Sequence, residues 1–199
     1  MSGFHVAVVP VGKVDATELE AALSRAAKVL RQPIELRDSL PVPTGAEDSE
    51  RGQHRAAALM NSLRSGVPRL RVGKLVGADD PDAKPPPRPD AFIFVTDVDM
   101  FTAKTDGVFA ALLSARQIAI VSVRRLRESF YRRKADHPKQ RARLVREILR
   151  MAGRLQGIKE CNDLTCVLSP SKVIPDLDSK SEAYCRSCSQ ALFEGRIQI

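Results

Sequence analysis

The chain has 199 residues, 43% of them hydrophobic and 28% charged, with a formal net charge of +8. That balance excludes global disorder and allows one domain of ordinary size with a sizeable core. No apolar run approaches the roughly 20 residues that span a bilayer, and residues 1–6 have no basic stretch ahead of their apolar run, so neither a membrane span nor a secretory signal is expected.

Residues 4–11 are apolar and rich in β-branched side chains, which predicts a buried strand. Asp15 followed by Glu18 is a variant of the capping box. The helix behind it carries Leu19, Ala22, Leu23, Ala26, Ala27 and Leu30 on one face, and Pro33 ends it. A second strand is expected over 34–37. A helix over about 50–65 then places Ala58, Leu59 and Leu63 inward and stops at Gly66. In 67–77, Leu70, Val72 and Leu75 point to a strand with a glycine irregularity. Residues 79–90 hold five prolines, four of them at 85–89. Helix and central strand are therefore excluded, and an exposed loop of polyproline character, acting as a spacer, is expected.

Apolar strands are expected over 91–96 and 117–123, with 107–113 supplying an edge strand between them. Residues 124–136 form a basic surface connection. A helix over 138–155 follows, with Pro138 in its first turn and Leu144, Val145, Ile148, Ala152 and Leu155 on its buried face. This order predicts an α/β (α+β) domain over 1–199 with a mixed, mostly parallel twisted sheet.

Between positions 116 and 154 the chain has 13 Lys/Arg against three acids, Glu128, Asp136 and Glu147. Such a block suits nucleic acid, an anionic membrane surface or an acidic protein; the plainer reading is a solvated basic face. Two Tyr and no Trp leave little to stack on bases. Arg124, Arg125, Arg127, Arg132 and Arg133 form the candidate contact surface.

All four cysteines lie near the C-terminal end, as Cys161-x4-Cys166 and Cys185-x2-Cys188. A reducing, cytoplasmic compartment is expected, and there clustered cysteines favour metal over disulfides. Two close pairs clamp one tetrahedral zinc and leave no open position, so the expected cofactor is one structural zinc tying 161–188 onto the preceding helix.

The spacing Gly157-x3-Cys161-x4-Cys166, then Cys185-x2-Cys188, resembles that of the archaemetzincins. These are zinc metallopeptidases with the pattern H-E-x-x-H-x-x-G-x-x-H-C-x4-C-M, seventeen residues, then C-x-x-C. Arg51-Gly-Gln53-His54 is similar to the family's R-x-Q-Y, and Thr96-Asp-Val-Asp99 to its segment before the edge strand. The resemblance implies a compact metzincin-like domain in which the helix over 138–155 is the former active-site helix. At the three zinc-binding histidine positions it places Arg150, Arg154 and Glu160, at the catalytic glutamate Met151, and at the Met-turn methionine Val167.

Arginine has no lone pair for a cation, and methionine takes no proton from water. His5, His54 and His137 have no spacing that rebuilds the trio. Arg143, Glu147, Arg150 and Arg154 are expected as one polar stripe opposite the apolar face of Ile148 and Ala152. Two arrangements are open for it: Glu160 reaching back to Arg150 or Arg154 as a carboxylate–guanidinium fork, or an ordinary exposed ladder.

The function expected is that of a catalytically inactive pseudo-peptidase acting as a scaffold for another protein of unknown identity. The alternatives are a zinc-dependent metallopeptidase with a non-standard active site and a nucleic-acid-binding module.

Overall fold

A computed structural model describes residues 4–67, 71–80, 82–86 and 88–194. The chain begins with β1 (Val6–Val11), α1 (Ala16–Leu30), β2 (Ile34–Leu36), β3 (Glu47–Asp48), β4 (Gln53–Arg55) and α2 (Ala56–Gly66). It continues with β5 (Lys74–Val76), β6 (Ala91–Thr96), β7 (Met100–Phe101), β8 (Ala110–Leu113) and β9 (Ile118–Ser122). Three helices complete it: α3 (His137–Leu155), α4 (Ile174–Asp178) and α5 (Arg186–Glu194).

The main sheet has the order β5-β2-β1-β6-β9-β8. Its four central strands are parallel, and β5 and β8 close the edges antiparallel. This is the mixed, mostly parallel α/β arrangement expected from the order of elements. Side chains alternate across it with the two-residue period of a sheet buried on both faces. Val6, Val8, Ile93, Val95, Ala119 and Val121 face one core, shared with α1 and α3. Val9, Val11, Phe94, Ile118 and Ile120 face the other, beneath α2. Among the described residues, no helix is long and apolar enough to cross a membrane.

The helix starts follow their caps. Asp15 accepts from the Glu18 amide at 3.0 Å, and Asp136 from the Lys139 amide at 2.9 Å. One boundary differs from expectation. The helix expected from about residue 50 begins at Ala56, because Gln53–Arg55 is held as a strand between β3 and β7. Of the strand expected in 67–77, only β5 forms, Val72 is exposed, and Leu70 lies outside the described residues. The described residues of 79–90 form neither helix nor strand; Pro81 and Pro87 lie outside them.

Helix α3 is enclosed on nearly all sides over 147–153. One side packs on α1 and the sheet, and the other is covered by the segment after the helix, with Ile158, Val167, Leu168 and Tyr184 in the same core. Gly153 permits this cover. A Cβ there would stand 2.9 Å from Leu168 Cδ2 and 3.0 Å from the Tyr184 ring. Tyr184 also donates its hydroxyl to the Leu149 carbonyl at 2.6 Å.

At the far edge of the sheet, fully buried Glu35 accepts from Arg37 Nε at 2.8 Å and the Gly73 amide at 2.9 Å, and lies 2.9 Å from His5 Nε2. Burial alone would raise its pKa. The hydrogen bonds from Arg37, Gly73 and His5 outweigh that and hold the carboxyl below its ordinary value.

Two outcomes follow. Gly153→Val should lower the urea-unfolding free energy by about 1–3 kcal/mol through overpacking. Because the folded pKa of Glu35 is depressed, its contribution is full above its unfolded pKa, near 4.3, and is lost as pH falls through the folded value. Glu35→Gln should therefore flatten the acid limb of the stability–pH curve, while costing about 3–5 kcal/mol at neutral pH by stranding Arg37.

Candidate metal centre and the helix beside it

The two cysteine pairs are brought together by backbone bonds between their segments. The Val167 amide donates to the Ala183 carbonyl at 3.0 Å, and Ser181 to the Thr165 carbonyl at 2.9 Å. Within the first pair's loop, Asp163 accepts from the Thr165 amide at 2.9 Å and its hydroxyl at 2.8 Å, turning the chain back toward Cys166. Cys188 sits in the first turn of α5.

All four sulfurs lie within 4.8 Å of one another, and Cys161 Sγ is 3.8 Å from Cys185 Sγ. Sulfurs about 2.3 Å from a tetrahedral zinc stand about 3.8 Å apart, so this donor set fits that ion. The thiols are free and differ in environment. Cys185 is drawn down to about 6, chiefly by the Ser187 hydroxyl, whereas burial pushes Cys166 and Cys188 up. A bound cation deprotonates all four in any case.

Helix α3 departs from expectation. Its polar stripe is not solvated: Arg143 and Glu147 are 0% exposed and Arg150 9%. Nor does Glu160 pair with either arginine. It is exposed, with no ion-pair partner among the described residues. The fork forms within the helix instead. Arg150 donates through Nε to the Glu147 carboxylate at 3.1 Å and through Nη2 at 2.6 Å. Glu160 fails to compete because the turn at Gly157, with φ of +86°, carries it out to solvent, while Glu147 lies one helical turn from Arg150. Arg154 is half-buried and makes one long bond, 3.4 Å, to the Ile158 carbonyl. Met151 is buried in the core, as is Val167.

Lys180, which no spacing singled out, is buried beside this fork. Its ammonium donates to the Ser169 carbonyl. Burial foremost, with Arg150 adding and Glu147 opposing, lowers its pKa to about 8. Sequence reading missed it because its neighbours lie some thirty residues away on α3.

The candidate contact arginines divide. Arg125 is bidentate on Asp99, at 2.5 and 2.8 Å, and Arg133 pairs with Glu128. Arg124 and Arg132 are exposed, and Arg127 is half-buried. Gln53 also donates to Asp99, at 2.9 Å, so the stretches 51–54 and 96–99 meet at one carboxylate. Of the histidines, His5 pairs with Glu35, His54 lies in β4, and His137 begins α3.

A sequence model of Peptidase family M54 matches residues 90–194. Among curated relatives, an archaemetzincin of Saccharolobus islandicus is 35% identical over 99 residues, 50% of this chain and 53% of its own length. The chain thus spans about half the length of the curated relatives it matches at that identity. An archaemetzincin of Natronomonas pharaonis is 26% identical over 191 residues, 94% of this chain and 99% of its own. Two crystal structures share the fold. A zinc-dependent peptidase from Methanocorpusculum labreanum has a TM-score of 0.80 at 22% identity, covering 94% of this chain and 99% of its own. An archaemetzincin from Methanopyrus kandleri has a TM-score of 0.73 at 23% identity, covering 96% of each.

Stripping metal from the reduced protein with a chelator should raise amide exchange across 158–188 by at least tenfold, with a much smaller change in β1, β6 and β9. Hydrogen exchange read by mass spectrometry checks this contrast.

Proposed function

The chain belongs to Peptidase family M54, and we propose that within it this protein is a non-catalytic member. It is a scaffold held by one structural zinc that acts by binding another protein. The observation that carries this reading is the buried Arg150–Glu147 fork. Where the family resemblance expects a metal-binding histidine, a guanidinium without a lone pair is packed and paired. Opening the fork strands a buried carboxylate, at a cost of about 3–5 kcal/mol.

Three further features support the reading. The Lys180 ammonium stands beside the fork and repels a divalent cation. Buried Met151 offers no base at the position of the catalytic glutamate. Arg154 adds another cation one turn along the helix. Four thiolates close the remaining metal site to substrate, which makes its zinc structural. Contact with a partner falls to surfaces free of structural ion pairs, Arg124 and Arg132 among them.

Elemental analysis of the purified protein should give one zinc per chain, and digestion of a peptide library should give no chelator-sensitive cleavage. Two zincs per chain with such cleavage would overturn the proposal.

A further inference from the structure

Lys180 is 3% exposed, yet no carboxylate stands within ion-pair distance of it among the described residues. Its ammonium donates to a neutral acceptor, the Ser169 carbonyl. A buried ammonium in that condition needs a counter-charge.

The titratable groups that act on it are Glu147, Arg150, Cys166 and Asp176. Two of the three acidic groups are already engaged. Glu147 is held by the Arg150 fork, and Asp176 accepts from the Lys172 and Val173 amides at 2.9 and 3.1 Å. The third, Cys166, is 1% exposed, and its sulfur accepts from the neutral Cys185 amide at 3.3 Å and has no cation paired with it among the described residues. Ser169, whose carbonyl holds the ammonium, donates its own amide to the Cys166 carbonyl at 3.0 Å. Lys180 is thus tied to the loop that presents a buried zinc ligand. A divalent zinc with four thiolates carries a net charge of about −2, and burying it is costly without a cation nearby.

We propose that Lys180 is the buried counter-ion of the four-cysteine zinc centre, a positioning charge that links metal binding at the C-terminal segment to the Glu147–Arg150 pair of α3. The inference rests on zinc at the cysteines and is independent of whether the chain cleaves peptides. Lys180 does not touch the metal. It acts through the thiolate charge, as outer-shell groups do.

The test is competition for zinc with a chromophoric chelator under reducing conditions, on the full chain and on Lys180→Met and Lys180→Arg. Methionine keeps the length and apolar stem while removing the charge. The Met variant should bind zinc about 10- to 100-fold more weakly, and the Arg variant should retain most of the affinity. The cobalt-substituted Met protein should keep the absorption bands of a tetrahedral four-thiolate site, which a purely structural role for the stem would not predict alongside weakened binding. Equal affinity in wild type and the Met variant overturns the inference. So does equal loss in both variants with altered cobalt bands, which marks Lys180 as a packing residue only. A wild-type protein that binds no zinc overturns the zinc reading itself.

Discussion

A helix that passes through the core with charged side chains on one face can be buried only if each charge is matched where it lies. Helix α3 is such a helix, and the rest of the C-terminal half is placed by that requirement. Arg143, fully buried, donates to Asp178 at 2.7 and 2.6 Å and to the Leu126 carbonyl at 2.7 Å, and pairs with Glu128 at 2.5 Å. Those partners come from the basic connection before the helix and from α4 after it. One guanidinium therefore holds both to the core, and loss of either carboxylate would leave a charge without solvent. One turn on, Arg150 and Glu147 satisfy each other.

The same logic explains why the basic block is less of a surface than its composition suggests. Several of its arginines point inward or sideways to carboxylates: Arg143 to Glu128 and Asp178, Arg125 to Asp99, Arg141 to Glu18. Residues 51–54 and 96–99, which carry the softer part of the family resemblance, converge on Asp99 with Arg125. They support the edge of the fold, with Asp99 bridging β4, β7 and the turn after β9.

Two unlike devices attach the C-terminal segment to α3. The first is close packing at Gly153, where the absent side chain makes room for Leu168 and Tyr184. The second is the cysteine cluster, where sulfurs from both ends of the segment gather within 4.8 Å of one another. Lys180 belongs to the same segment, buried with its ammonium on the Ser169 carbonyl.

The sequence alone determined the strands of the main sheet, the cap of α1, the proline in the first turn of α3 and the cysteine centre. Each rests on short-range regularities: the apolar, β-branched run of Val6–Val11, an aspartate three residues before the amide it accepts, and ligand pairs spaced for one ion. Tertiary structure decided what those regularities do not encode. It turned Gln53–Arg55 from expected helix into strand, because β7 pairs with it across more than forty residues. It also buried the stripe of α3, sent Glu160 to solvent, gave Arg150 to Glu147, and brought Lys180 beside both. A spacing of 4, 3 and 4 says which side chains share a helix face. Whether that face meets water or a covering segment depends on where the remaining chain folds back, and here the cover decided the chemistry.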